Sequence, residues 1–294
     1  MTKFYGTGVA MATPFHADGQ VDYDGLNNLI NYLIDGGVEY LVSLGTTGES
    51  ATLNKEEKKK VWAFTAKAAA GRVALVAGIG GNNTAELIEH IKDFDTTGYD
   101  AILSASPHYN KPTQEGIYQH YKAVAQVSPL PLILYNVPSR TGSNISADTT
   151  VRLAKDFNNI IAIKEASGNF DQLNQIMRDK PEAFLLISGD DPITLPMVAL
   201  GAVGVISVTG NALPRQTSAM TRSCLSGDFK TAQKGHSALI DFTRLMFVEG
   251  SPAGVKTALA HLGICGDAVR LPLVQVSPAT AALIIAETDK LSSY

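Results

Sequence analysis

The sequence predicts an α/β fold: a (β/α)8 TIM barrel followed by a C-terminal helical appendage. Three observations predict it. Short, β-rich apolar runs recur eight times before Gly227, and a segment with helical spacing follows each of them. The runs are apolar on both faces of the pleat, as strands of a parallel sheet covered by helices are. After Gly227 the strand pattern stops and only helical patterns remain. An open doubly wound sheet is the other architecture that the same alternation allows. A length of 294 residues fits one barrel, because such barrels form a single core from about 250 residues.

The predicted strands span 6–13, 40–44, 73–79, 101–105, 130–137, 160–165, 184–188 and 204–208. Ile160, Ile161, Ala162 and Ile163 show the two-faced apolar character most clearly. Between the first two runs, Leu26, Leu29, Ile30, Leu33 and Ile34 form one apolar stripe that ends at Gly36 and Gly37. Asn54 with Glu57 and Asn83 with Glu86 have capping-box spacing, and Asp191 before Pro192 suits an N-cap with proline at N1. The longest apolar stretch, 193–208, is broken by Pro196, Gly201 and Gly204, so it reads as a helix running into a strand rather than a bilayer span. Helices are expected near 228–248, 252–263 and 278–291. The predicted organisation is therefore a barrel over 1–226 carrying the active site and a helical subdomain over 227–294 packed on it.

Composition excludes several functions. The net charge is -4 and the 24 Lys and Arg residues are scattered, so the basic footprint of a nucleic-acid binder is missing. Cys224 and Cys265 are too few for a disulfide framework, and the six His residues never fall at HExxH spacing. A reducing cytoplasm and no metal site are expected. The first residues contain no uninterrupted apolar segment of the secretory type, and no membrane association is expected.

In a barrel, functional residues lie at the carboxyl ends of strands. Lys164 stands near the end of an apolar central strand, where a charged amine needs a reason. Burial disfavours the ammonium form, and a neutral amine attacks a carbonyl to form a Schiff base. A lysine that snorkels to the strand end or pairs with a carboxylate is the plainer alternative. Glu165 is a poor partner, since neighbouring strand residues face opposite ways. Tyr135, at the end of the preceding strand, could pass protons to and from a lysine adduct, or be a rim aromatic. The Gly45-Thr46-Thr47-Gly48 turn could aim successive backbone N–H groups at a carboxylate, although a plain βα turn has the same composition. Arg140 could bind a second carboxylate bidentately or be a solvated loop arginine. The run 55–60 reads as the wet face of a helix, and Asp190-Asp191 as a helix cap rather than an acid/base pair.

Taken together, GTTGES, PHYNKPTQEG, YNVPSRTG and IKEASG resemble the dihydrodipicolinate synthase family, in order through nearly the whole chain. GTTGE and the tyrosine–lysine strand pair are shared with N-acetylneuraminate lyase and related class I pyruvate aldolases, whereas Arg140 in PSRTG resembles the synthases in particular. The resemblance implies a lyase without metal or organic cofactor. Lys164 would form an imine with pyruvate, whose enamine condenses with L-aspartate 4-semialdehyde to 4-hydroxy-tetrahydrodipicolinate, in lysine and diaminopimelate biosynthesis. It implies a proton relay of Tyr135, Thr46 and Tyr109, a carboxylate cradle of the Thr46 and Thr47 amides, a second carboxylate on Arg140, and contacts from the Gly189 and Ile206 carbonyls. It further implies a homotetramer, a dimer of dimers, in which Tyr109 reaches the partner's site.

Two departures stand out. Where many members have Asn-Pro-Ile-Pro before a helix lysine, this chain has Ser251-Pro252-Ala253-Gly254-Val255-Lys256. The positions that match the family's allosteric lysine site are Ser50, Ala51, Lys55, Lys58, Asn82, Glu86 and His108, with Lys55 and Lys58 where sensitive members have histidines. Extra ammonium groups repel a lysine ligand, so weak or absent feedback is expected. Other functions compatible with a barrel are an aldolase acting on a different aldehyde, a phosphate-handling isomerase using the 201–204 region, and a non-catalytic binder of a small keto acid.

Overall fold

The computed structural model describes residues 2–292. β1 (Gly6–Ala10) leads to α1 (Tyr23–Asp35), β2 (Tyr40–Ser43) to α2 (Lys55–Ala69), β3 (Ala74–Gly78) to α3 (Thr84–Lys92), and β4 (Ala101–Ala105) to α4 (Gln114–Val127). β5 (Leu132–Asn136) is followed by the single turn α5 (Pro138–Thr141) and by α6 (Ala147–Asp156). β6 (Ile160–Glu165) leads to α7 (Phe170–Asp179), β7 (Leu185–Ser188) to α8 (Thr194–Leu200), and β8 (Gly204–Ser207) to α9 (Pro214–Leu225). Helices α10 (Phe229–Leu245), α11 (Ala253–His261) and α12 (Pro278–Ser292) follow.

The sheet closes. β1 pairs in parallel with β8, Gly6 opposite Gly204 and Gly8 opposite Ile206, which makes a barrel and excludes the open sheet. Strand positions agree with the predicted runs, but several runs overshoot. Met11 and Ala12 are as buried as the strand before them yet lie beyond the last ladder pair, so their apolar character reflects burial in the loop rather than strand pairing.

Helix starts follow local capping chemistry. Asn54 and Glu57 form the full reciprocal box. At Asn83 the expected box is half formed: its side chain accepts from the Glu86 N–H, while the Glu86 carboxylate lies 4.0 Å from His90. Asp22, Thr113, Ser146, Asn169 and Asp228 each accept an N–H in the first turn of their helices, satisfying donors that would otherwise lack a partner.

Two apolar layers separate at the sheet. Side chains such as Tyr40, Val42, Val76, Leu103, Ile133 and Ile187 fill the barrel interior, while Leu29, Leu33, Leu41, Tyr121, Leu134 and Ile163 pack between sheet and helices. Gly8 is required by the inner layer, because a Cβ there would stand 2.1 Å from the Tyr40 ring. A third cluster joins Leu239, Phe242, Val255, Ala258, Ile284 and Leu291 of the last three helices to Ala212 and Leu213 before α9. The last two positions of the predicted 227–294 segment lie outside the described residues. Among the described residues, no helix is long and apolar enough to cross a membrane.

Candidate active site

The carboxyl ends of the strands surround a cavity of about 190 Å3. Its wall includes Gly45, Thr46, Thr47, Tyr135, Arg140, Lys164, Gly189 and Asp190. Register explains why the lysine and the tyrosine meet. Tyr135 of β5 lies directly opposite Lys164 of β6, so both side chains leave the sheet on its inner face. The Lys164 Nζ stands 4.4 Å from the centre of the Tyr135 ring. Lys164 is 4% exposed and has no hydrogen bond or ion pair among the described residues. An amine so placed is desolvated without being tied up, which suits a nucleophile. Gly189 makes room for it, because a Cβ there would come within 3.0 Å of the Lys164 side chain and 2.9 Å of Ala166.

The next residues on the same strands face the other way. Glu165, fully buried, accepts from Asn136 Nδ2 at 2.9 and 3.1 Å, Gln172 Nε2 at 2.9 Å and the Ser167 N–H at 2.7 Å. It thus bolts β5 to β6 and α7 directly behind Tyr135 and Lys164, and makes no bond to Lys164. That outcome follows from the period of a strand.

Two carboxyls provide the negative field around Lys164. Burial pushes the Asp190 carboxyl above the usual carboxylate range, Asp191 adds to the rise, and Lys164 opposes it. Burial raises the Asp191 carboxyl as well, against hydrogen bonds from Ser207 and the backbone of Val208 and Thr209 and the charge of Lys164. The helix-cap expectation for this pair is corrected here. Asp190, in the cap position, makes no side-chain cap bond, and Asp191 reaches across to Ser207 and the Val208 N–H (2.9 Å), fastening the end of β8.

The 45–48 loop forms a single 3-10 turn, Thr46–Gly48, that presents Thr46 and Thr47 to the cavity. Thr13 Oγ1 donates to the Gly48 carbonyl at 2.7 Å and steadies it. The exposed Arg140, in α5, borders the cavity and has no ion-pair partner among the described residues, which leaves its guanidinium open to an anion. Tyr109 does not line this cavity: it is 87% exposed on the β4–α4 loop, in a left-handed conformation (φ 69°), with its N–H on the Thr141 carbonyl. Ile206 is buried in the barrel interior, and Val208 forms the wall on that side.

A wider opening of about 510 Å3 adjoins the cavity, sharing Thr46, Tyr135 and Arg140 and extending to Ser50, Ala51, Lys58, His90 and His108. Lys58 is half-buried there, and burial lowers its pKa against the opposing charge of Glu86. Lys55 turns away to Asp93, 2.6 Å distant. Sequence reasoning missed Phe247, which follows α10 and reaches the cavity wall, and, although it noted Lys256 of α11, it did not find the partner of that lysine, Glu49. Neither gives a local signal, since each meets the barrel from a distant part of the chain.

Comparison with known proteins agrees with this geometry. Residues 3–284 match the model of the dihydrodipicolinate synthetase family. The 4-hydroxy-tetrahydrodipicolinate synthase of Phocaeicola vulgatus is 52% identical over 93% of this chain and 92% of its own length. The crystal structure of dihydrodipicolinate synthase from Aquifex aeolicus superposes with a TM-score of 0.95 at 45% identity, covering 98% of each chain. That of the chloride-inhibited enzyme from Acinetobacter baumannii in complex with pyruvate gives 0.94 at 38% identity, over 98% of this chain and 99% of the other. With its closed barrel, its buried lysine opposite a tyrosine and this match over almost its whole length, the chain belongs to the dihydrodipicolinate synthetase family.

Proposed function

We propose that the chain is a lyase that condenses pyruvate with L-aspartate 4-semialdehyde to 4-hydroxy-tetrahydrodipicolinate in lysine and diaminopimelate biosynthesis. The observation that carries this reading is the desolvated, unpaired Lys164 facing Tyr135 beside the Thr46–Gly48 turn. Relatives at 52% identity are named 4-hydroxy-tetrahydrodipicolinate synthase, which supports the same product.

The cycle balances without metal or organic cofactor. The neutral Nζ of Lys164 adds to the pyruvate C2 carbonyl, and loss of water leaves an imine. Loss of a C3 proton gives the enamine, and C3 then bonds to the aldehyde carbon while its oxygen takes up a proton. The substrate's own amine adds to C2, expels Lys164 and closes the ring. Tyr135 and Thr46 carry the protons in the cavity. The Thr46 and Thr47 N–H groups hold the pyruvate carboxylate, and Arg140 holds that of the aldehyde. The Gly189 and Ile206 carbonyls add contacts to the bound substrates.

Tyr109 acts from a neighbouring copy of the chain. Its exposure and its attachment beside Arg140 support a role across an interface, within a homotetramer built as a dimer of dimers in the cytoplasm. The division into a barrel over 1–226 and a packed helical subdomain over 227–294 belongs to the same reading. The test is turnover of pyruvate with L-aspartate 4-semialdehyde against N-acetylmannosamine, with Arg140→Ala beside the unmodified enzyme. The expected result is preference for the semialdehyde and a raised KM for it in the variant. Preference for the sugar aldehyde overturns the substrate assignment.

A further inference from the structure

The turn that presents Thr46 and Thr47 is held from outside the barrel. Its last position, Glu49, is a non-glycine residue in the left-handed region (φ 51°), and so is Leu44 just before the turn (φ 54°). The Cβ crowds the following carbonyl in that region, so the surroundings must enforce it. The Glu49 main chain joins two successive turns: its N–H donates to the Thr46 carbonyl, and its own carbonyl accepts from Thr52 N–H (2.9 Å) and Oγ1 (3.0 Å).

The Glu49 side chain points away from the cavity and is wholly buried. Its Oε1 lies 2.5 Å from the Lys256 Nζ, and its Oε2 accepts from the Arg270 N–H at 3.0 Å. Lys256 is equally buried, donates to the Ala268 carbonyl at 2.7 Å and stands 4.2 Å over the Phe15 ring. The Arg270 guanidinium covers the same ring at 4.4 Å and is anchored on Glu57 and on the Gly19 and Thr52 carbonyls. Among the described residues, the one cation in ion-pair contact with Glu49 therefore comes from α11, 207 residues away in sequence, while the Arg270 guanidinium, committed to Glu57, acts on it only at longer range.

We infer that Lys256 is a positioning residue for pyruvate: by neutralising Glu49 in the protein interior it holds the Thr46–Gly48 turn in the shape that binds the substrate carboxylate. Without the ammonium, the lone Glu49 carboxylate is driven toward water. The left-handed backbone at Glu49 then relaxes, and the Thr46 and Thr47 N–H groups lose their common aim. Lys164 lies on β6, which Glu165 ties to β5 and α7, and keeps its place.

This inference rests on the proposed pyruvate site, and borohydride trapping of the pyruvate imine, titrated with pyruvate, separates the two. No adduct in the unmodified protein at any pyruvate concentration sinks the site itself. With an adduct present, Lys256→Met is expected to raise the pyruvate concentration for half-maximal trapping ~10-fold, about 1.4 kcal/mol of lost binding, and to leave the KM of the aldehyde within ~2-fold. Adding Glu49→Gln to that variant removes the stranded charge, keeps an acceptor for Arg270, and is expected to restore half-saturation to within ~3-fold of the unmodified value. A merely structural lysine would lower thermal stability without this selective change or its rescue. Wild-type half-saturation in folded Lys256→Met, or a double variant as impaired as the single one, overturns the inference. If Lys256→Met does not fold, the Glu49→Ala, Lys256→Met double variant removes the anchor without leaving either charge buried. It must then show the raised half-saturation, and an unchanged value contradicts the proposal.

Discussion

Two fully buried carboxylates stand behind the cavity, Glu165 under the lysine and tyrosine and Glu49 under the threonine turn, and they are satisfied in different ways. Glu165 is met by neutral N–H donors from Asn136, Gln172 and Ser167, all within 29 residues of it in sequence. Glu49 is met by an ammonium from α11 and a backbone N–H from the segment beyond it. Amide donors fix orientation without adding a second charge to desolvate. An ion pair couples distant segments, but each partner becomes a liability once the other is gone. The reactive pair is thus braced locally by the barrel, and the substrate-holding turn is braced by the appendage.

The largest effect expected from breaking this contrast is on Lys256→Met. Stranding the Glu49 charge should cost about 3–5 kcal/mol of unfolding free energy, and the Glu49→Gln, Lys256→Met double variant should recover most of it. Denaturant melts of the three proteins check both statements. Glu165→Gln should cost less, roughly 2–3 kcal/mol, the scale of hydrogen bonds to a charged group, because its amide half then faces the Asn136 and Gln172 donors. Its kcat should fall with both KM values little changed, since it braces the reacting groups rather than a substrate anchor.

A smaller effect comes from the acid sensitivity of a buried histidine outside both braces. His120 is buried, its Nδ1 2.8 Å from Thr84 Oγ1, and desolvation pushes its pKa down from 6.5 to about 4. The unfolded chain therefore takes up the proton first. The contribution is intact above pH 6.5 and is lost as pH falls from 6.5 toward 4, amounting to roughly 2 kcal/mol by pH 5. The difference between the unmodified protein and His120→Gln, measured at pH 7 and pH 5, gives that term, and His236, whose pKa burial also lowers, adds acid sensitivity of the same sign. The smallest effect is the one expected from L-lysine. With Lys58 facing the wider opening, submillimolar L-lysine should inhibit little, and strong inhibition in a steady-state assay would contradict this.

The local brace was legible in the sequence and the distant one was not. Apolar runs on both faces of the pleat marked all eight strands, and the spacing of their ends placed Tyr135 and Lys164 side by side. The alternation of a strand already turned Glu165 away from Lys164. Glu49 carries no such signal: GTTGE reads as a loop, and nothing within its neighbourhood announces a lysine in α11. Asp191 was misread as a cap for the same reason, since its partners at the end of β8 and just after it lie 16–18 residues ahead across the barrel mouth. Phe247 reaches the cavity wall and Lys256 reaches Glu49 behind the turn through tertiary packing, which periodicity does not encode.

The most direct test of the account is to locate the covalent bond. The protein, reduced with borohydride in the presence of pyruvate, should yield one modified peptide by mass spectrometry, with the carboxyethyl group on Lys164, and folded Lys164→Ala should yield none. An adduct on another lysine, or no adduct on the folded unmodified protein, would contradict the assignment of Lys164 as the Schiff-base residue.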